Sequence, residues 1–259
     1  IAFRNRRLVV ATSASVSSVG PARKVIAAVK KSNALSIEAW LKPQDARQTG
    51  PARIVTLSAD PGQRNFSLGQ EVGRFDVRLR TTATNDNGIP STASPDDAAR
   101  SELTHLVFTR DARGVARIYR DGKEIAQNAI AGTLDNWNND FRLALVNELT
   151  GDRPWLGELS LVAIYGRALS AEEVNSNFTA GAPAEPNYAA LLPPARARPV
   201  DFVQDVQPLL RKHCLECHSA GNEEGGLNLG IRQRVREGGD HGPVLVPGER
   251  ICWNKLMYL

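Results

Sequence analysis

Cysteine and methionine are scarce in this chain, whose 259 residues hold three Cys and one Met. So few cysteines exclude a scaffold stapled by disulfides in place of a core. Aromatic residues make up only 6%. A nucleic-acid-binding surface needs aromatics interleaved with basic side chains, so that function class is excluded. No run approaches the roughly 20 consecutive apolar residues needed to cross a bilayer, which excludes a transmembrane helix within this sequence. Acidic residues are missing from the first 31 positions, where Arg4, Arg6, Arg7, Arg23, Lys24, Lys30 and Lys31 stand. The formal charge of +4 is therefore an N-terminal property, and the remainder is acidic on balance. The N-terminus also lacks the long apolar region of a secretory signal, so an exported form is expected to have lost it already.

What is present points to β structure. The chain is 42% hydrophobic and 23% charged, and its length suffices for more than one domain at about 100–200 residues each. Between residues 34 and 165 apolar and polar side chains alternate. Leu35, Ile37, Ala39 and Leu41 alternate with Ser36, Glu38 and Trp40. Phe75, Val77 and Leu79 alternate with Asp76, Arg78 and Arg80; Val115, Arg117 and Tyr119 stand opposite Ala116 and Ile118; and Phe141, Leu143 and Leu145 alternate with Arg142, Ala144 and Val146. The runs end in turn chemistry such as Asp60-Pro61-Gly62, Asp86-Asn87-Gly88 and Asp121-Gly122. Short strands with one apolar face, joined by polar turns, predict an antiparallel jelly roll or sandwich. A capping box at Ser170-Ala171-Glu172-Glu173, with Val174 and Phe178 four apart, predicts a closing helix.

Residues 1–181 are therefore read as one β domain and 182–199, with five prolines, as an extended linker. Residues 200–259 follow as a small, largely α-helical domain. There Asp201 is placed to cap a helical segment with Phe202, Val206, Leu209 and Leu210 on one face, and Pro208 forces a kink or restart.

The helical segment leads into Cys214-Leu215-Glu216-Cys217-His218. Cys-x-x-Cys-His is the attachment signature of c-type haem: two thiols bond the two vinyl edges and the adjoining imidazole binds iron from below. At this composition the pentad arises by chance roughly once in two thousand such chains. Two other readings stay open. A thioredoxin-like pair would start a helix after a strand and would not need the histidine. A zinc site would draw on Cys214, Cys217, His241 and Cys252. For the distal position the candidates are His241, in a glycine-rich loop, and Met257, whose other reading is core packing beside Leu256 and Leu259. His213, next to the first cysteine, reads as a surface or hydrogen-bonding residue.

Residues 200–259 resemble the planctomycete-type cytochrome c domain. The resemblance rests on Val200 through Leu210, the haem motif, Gly225-Gly226-Leu227-Asn228-Leu229, Gly238 through Pro243, and Pro247-Gly248. That family usually continues past this point to a Met-Pro-Pro segment and a final helix, and it usually has a small residue where His241 stands. Residues 34–181 resemble the LamG-like, concanavalin A-like lectin/glucanase jelly roll through Ser36 to Trp40, His105 to Arg110, Arg117 to Gly122, and Gly157-Glu158-Leu159 with Ala168-Leu169-Ser170. The first resemblance implies one covalent haem c held by Cys214, Cys217 and His218, and a redox partner protein. The second implies a docking or scaffold module for a carbohydrate or protein ligand, with a calcium ion at one rim. Together they imply an electron carrier with a binding module rather than a catalyst. Haem attachment takes place outside the cytoplasm, so a periplasmic or otherwise extracytoplasmic location is expected.

The residues themselves say less about the jelly roll. The loop 81–97 carries Asn85, Asp86, Asn87, Asp96 and Asp97; such oxygen-rich loops suit Ca²⁺, with Asp86 the candidate ligand, and suit water equally. Trp137 and Trp155 are candidates for stacking on sugars or for the core. Glycoside hydrolysis needs two carboxylates flanking the bond, for which Glu148 and Glu158 are the candidates, without the Glu-x-Asp-x-x-Glu cluster of related glucanases.

Overall fold

Each run of alternating polarity forms a strand. The computed structural model describes residues 2–4, 7–182, 201–240 and 242–243. The chain divides into two units, residues 1–186 and 187–259. In the first, the strands in chain order begin β1 (Ala2–Arg4), β2 (Arg7–Val10), β3 (Val16–Ser17), β4 (Leu35–Pro43), β5 (Ala52–Asp60), β6 (Gln63–Glu71) and β7 (Arg74–Leu79). They continue β8 (Thr92–Ala93), β9 (Thr104–Arg110), β10 (Val115–Arg120), β11 (Lys123–Ala129), β12 (Arg142–Leu145) and β13 (Gly157–Tyr165). Helices α1 (Arg23–Ser32) and α2 (Ala171–Ala180) complete the unit.

The strands form two antiparallel sheets, one of seven strands ordered β1-β2-β13-β4-β9-β10-β11 and one of six ordered β3-β12-β5-β6-β7-β8. Sequence-distant strands are neighbours in both, as in a jelly roll. One contiguous core takes Leu35, Ile37 and Leu41 from β4 and Leu106 and Phe108 from β9, with Val55, Leu57, Phe66, Leu68, Phe75 and Val77 from the six-stranded sheet. All are at most 1% exposed. At roughly 25 cal/mol per Å² of buried apolar area, this cluster is the main source of stability.

The outer face of the seven-stranded sheet departs from the alternation. Ser36, Glu38 and Trp40 stand opposite the apolar residues of β4 yet are 0%, 2% and 7% exposed. Helix α2 lies over them, and Val174 joins Val107, Tyr119 and Leu169 in a second small cluster. The capping box of α2 forms as read: the Ser170 hydroxyl accepts from Glu173 N (3.2 Å), and the Glu173 carboxylate accepts from Ser170 N (2.8 Å).

Candidate haem-binding site

In the second unit the cysteine–histidine motif hangs on a short helix. The Asp201 side chain accepts from Gln204 N (2.8 Å), the backbone then winds as a π turn over Phe202–Val206, and helix α3 (Gln207–His213) follows with Pro208 in its first turn. Proline fits there because a first-turn N–H has no intrahelical partner to lose. His213 is exposed at the end of α3.

The helix hands over directly to the motif. Cys214 N donates to Leu210 O (2.9 Å), and one further turn closes with Cys217 N (3.3 Å) and His218 N (3.0 Å) both donating to Cys214 O. Residues spaced i, i+3 and i+4 around such a turn share one side. The backbone therefore places Cys214, Cys217 and His218 on one side of a single turn. Both thiols are free and half-buried.

Glu224 organises the other side of the site. Strand β14 (His218–Ser219) pairs with β15 (Asn222–Glu223), and the hairpin delivers Glu224 back to the motif. Its backbone N donates to Cys217 O (3.0 Å). Its backbone carbonyl lies 3.1 Å from His218 Nδ1. A carbonyl only accepts, so Nδ1 carries the proton and Nε2 keeps its lone pair for a metal. The Glu224 carboxylate, with burial and Glu216 adding to it, pushes the Cys217 thiol up and keeps it protonated.

The loop is held by two glycines. Gly226 has φ +70°, and a Cβ there would collide with the Asp240 carboxylate; a Cβ on Gly239 would collide with Gly225 O. This close approach lets Asp240 N donate to Gly225 O at 2.7 Å. Glycine is required because no side chain fits between the two backbones.

The residues present fit haem c. Two free thiols and an imidazole of the metal-binding tautomer are carried by one turn. The apolar surface fits as well: Phe202, Val203, Leu209 and Ile231 are 59%, 65%, 59% and 49% exposed, and among the described residues of this unit only Leu227 and Asn228 are buried. A macrocycle would cover these exposed apolar side chains. His241, Met257 and Cys252, named above as distal or zinc ligands, lie outside the described residues. Among the described residues no three His, Cys, Asp or Glu side chains converge on a metal position.

The candidates in the jelly roll do not assemble into one site. Asp86 pairs with Arg80 (2.8 Å) and Asp96 with Arg74 (2.7 Å), while Asn85 Oδ1 accepts from Asn87 N and Ile89 N within its own turn. Trp137 and Trp155 are core residues, 2% and 0% exposed, donating to Arg80 O and Gln70 Oε1. Glu148 follows β12 of the six-stranded sheet, fully buried, paired with Arg53 at 3.3 Å and accepting from the Ser58 hydroxyl. Glu158 lies on β13 of the other sheet, paired with Arg7 at 3.1 Å. The two carboxylates thus belong to different sheets, each with its own arginine, and do not form a facing pair.

Two buried polar arrangements carry no local sequence signal. Glu38 accepts from His105 Nε2 (2.7 Å), the Tyr165 hydroxyl (2.7 Å) and Asn177 Nδ2 (3.1 Å). Burial raises its pKa, but these hydrogen bonds and the attraction of His105 outweigh that and hold it below the usual carboxylate range. His105 is fully buried, its ring tilted 31° against Trp40 (centroids 4.8 Å apart), with its Nδ1 unpartnered. The other arrangement is the Arg53–Glu148 pair with its neighbours Ser58 and Arg64. Partners 67 to 139 residues apart meet only in the folded sheets.

Comparison with known proteins agrees with this division. The planctomycete cytochrome C family model matches residues 214–251, starting at Cys214. No curated protein matches the chain. Among solved structures, the CBM40 domain of Ruminococcus gnavus IT-sialidase bound to α2,3 sialyllactose aligns at 17% identity and TM-score 0.50, over 66% of this chain and 97% of that one. The SAP-like pentraxin of Limulus polyphemus aligns at 13% and 0.46, over 58% and 71%. The binding domain of botulinum neurotoxin DC in complex with rat synaptotagmin II aligns at 18% and 0.46, over 57% of this chain. This chain spans 36% of that neurotoxin structure. The concanavalin A-like model itself matches residues 18–175, more than half of the sequence, and the protein belongs to the concanavalin A-like lectin/glucanases superfamily.

Proposed function

We propose that this chain is an exported c-type cytochrome, carrying electrons between partner proteins outside the cytoplasm, with the jelly roll as its docking and binding module. The observation that carries this reading is the hydrogen bond from His218 Nδ1 to Glu224 O, which presents Nε2 as an iron ligand on the turn that carries both cysteines. When bound, haem c supplies a one-electron redox centre. Cys214 and Cys217 would hold it through thioether bonds, and His218 would ligate its iron. The Glu224 carbonyl keeps the imidazole proton on Nδ1 and fixes the plane of the ring. The exposed apolar residues Phe202, Val203 and Leu209 would offer the group an apolar surface. The partners are a redox protein and, at the jelly roll, a carbohydrate or protein ligand.

The test is expression in a host with a periplasmic haem-attachment system. The full chain is expected to show a sharp reduced α-band that persists after acid–acetone extraction. The double variant Cys214→Ser/Cys217→Ser is expected to lose all covalent haem. His218→Ala should retain covalent haem but show an altered Soret spectrum. Stoichiometric zinc with no haem in the purified protein overturns the reading.

A further inference from the structure

His218 is framed by two stretches of backbone that follow it in the chain. In the first, β15 pairs with β14 in the register His218↔Glu223, and the next residue, Glu224, places its carbonyl 3.1 Å from His218 Nδ1. In the second, Leu229 N donates to His218 O at 2.8 Å. The first stretch orients the imidazole and the second holds its main chain. The hairpin is weak by itself: β14 and β15 have two residues each, and an isolated two-stranded hairpin is marginally stable at best in water.

One side-chain hydrogen bond ties the two stretches together. Asn228 immediately precedes Leu229, and its Nδ2 donates to Glu223 Oε1 at 2.6 Å. The other carboxylate oxygen of Glu223 accepts from Arg234 Nη2 at 3.2 Å, on helix α4 (Arg232–Glu237). Glu223 is thus held from two directions, one residue before the carbonyl that meets His218.

Asn228 is fully buried, and its chemistry points to Glu223. Its Oδ1 accepts from Gly230 N at 2.9 Å, a local turn contact for which aspartate, serine or threonine would serve as well. The donor is what requires an amide, and the donor goes to the carboxylate. A hydrogen bond to an ionised acceptor is of the stronger, charge-assisted kind.

We propose that Asn228 is a positioning residue for the haem ligand: through Glu223 it sets where the Glu224 carbonyl meets His218 Nδ1, and so fixes the plane and the electron donation of the imidazole. The inference rests on the reading of this unit as a haem-binding domain. A carbonyl that accepts from Nδ1 makes the imidazole the more basic ligand, which favours ferric iron. Loosening the frame is therefore expected to turn the ring and to raise the reduction potential.

The test compares the haem-loaded full chain with two variants that keep its net charge. Asn228→Leu removes the bond. Asn228→Asp/Glu223→Gln rebuilds it with its polarity reversed, the introduced amide donating to the introduced carboxylate, and keeps an acceptor for Gly230 N. The readouts are the midpoint potential and the hyperfine-shifted haem methyl resonances of the ferric form, whose pattern follows the plane of the imidazole. Asn228→Leu is expected to change the methyl pattern and to shift the equilibrium with a fixed reference couple at least threefold toward the reduced form, about 28 mV at 59 mV per decade for one electron. The double variant is expected to return both to native values. If Asn228→Leu holds haem with native pattern and potential, the proposal is overturned. It is overturned equally if the double variant departs from native as far as Asn228→Leu does, or loses covalent haem. Loss of haem from Asn228→Leu alone, with the double variant native, supports it. A native chain that takes up no haem overturns the cytochrome reading, and this proposal with it.

Discussion

Glu38 is where a single residue matters most to the jelly roll. Its carboxylate accepts three hydrogen bonds beneath α2, so truncation leaves the fully buried His105 and the half-buried Tyr165 and Asn177 without their shared acceptor. Breaking such a buried charged network by removing one partner costs about 3 kcal/mol. Glu38→Ala is expected to lower the thermal midpoint accordingly. The network also makes a pH signature. The folded pKa of Glu38 is depressed below 4.5, so the stability it confers is present above the unfolded value and lost as pH falls through the folded one. Tyr165 shifts the other way: burial, with its hydrogen bond to Glu38 and the charge there, pushes it to about 12 from 10. Its contribution is complete below pH 10 and lost as pH rises through 12. Denaturant unfolding across pH is expected to show both limbs in the native chain, and Glu38→Gln should flatten the acid limb and bring the Tyr165 phenol nearer its ordinary value. An unchanged acid limb would mean that Glu38 does not couple to folding.

At the scale of elements, α2 accounts for the burial of the polar face of β4. Period-two patterning identifies the core face, but it does not say whether the other face meets water or a helix. Here the helix placed at 171–180 by its capping box covers that face, and Phe178 stacks on Trp40 with centroids 6.0 Å apart. Ser170→Ala removes the acceptor for Glu173 N, and the loss is expected to be about 1 kcal/mol. Hydrogen exchange should show faster exchange in the first turn of α2 and little change in β5–β7. Strands β4, β7 and β12 were legible because one face of each is apolar throughout. Strands β5 and β6 were not. Both of their faces are buried, and register shifts at Arg53/Val55, Leu57/Ser58 and Ser58/Asp60 interrupt the period. Helix α1 was hidden by its basic residues, since Ile26 and Val29 are its only buried side chains. The Cys-x-x-Cys-His motif was legible for the opposite reason: its five residues are contiguous, so no long-range pairing had to be inferred. The Glu224 carbonyl that orients His218 was not, because any residue type supplies a backbone carbonyl.

At the scale of the whole molecule the two units differ in what holds them together. The jelly roll closes its core with its own side chains, thirty of them in one contiguous cluster. The small unit, among its described residues, buries only Leu227 and Asn228 and leaves Phe202, Val203, Leu209 and Ile231 exposed. The apolar burial among these described residues does not by itself offset the conformational entropy of ordering them, a balance that a staple or cofactor would shift. Binding to the folded form alone then contributes directly to folding free energy. Calorimetry on the haem-loaded chain and on Cys214→Ser/Cys217→Ser is therefore expected to share one cooperative transition, that of the jelly roll, within about 0.5 kcal/mol, the ordinary range for substitutions that leave a unit's own packing untouched. A second transition, followed by Soret circular dichroism, is expected only with haem in place. If the small unit melts cooperatively at an unchanged temperature without haem, its stability comes from its own chain, and the cofactor is an addition to the fold rather than its core.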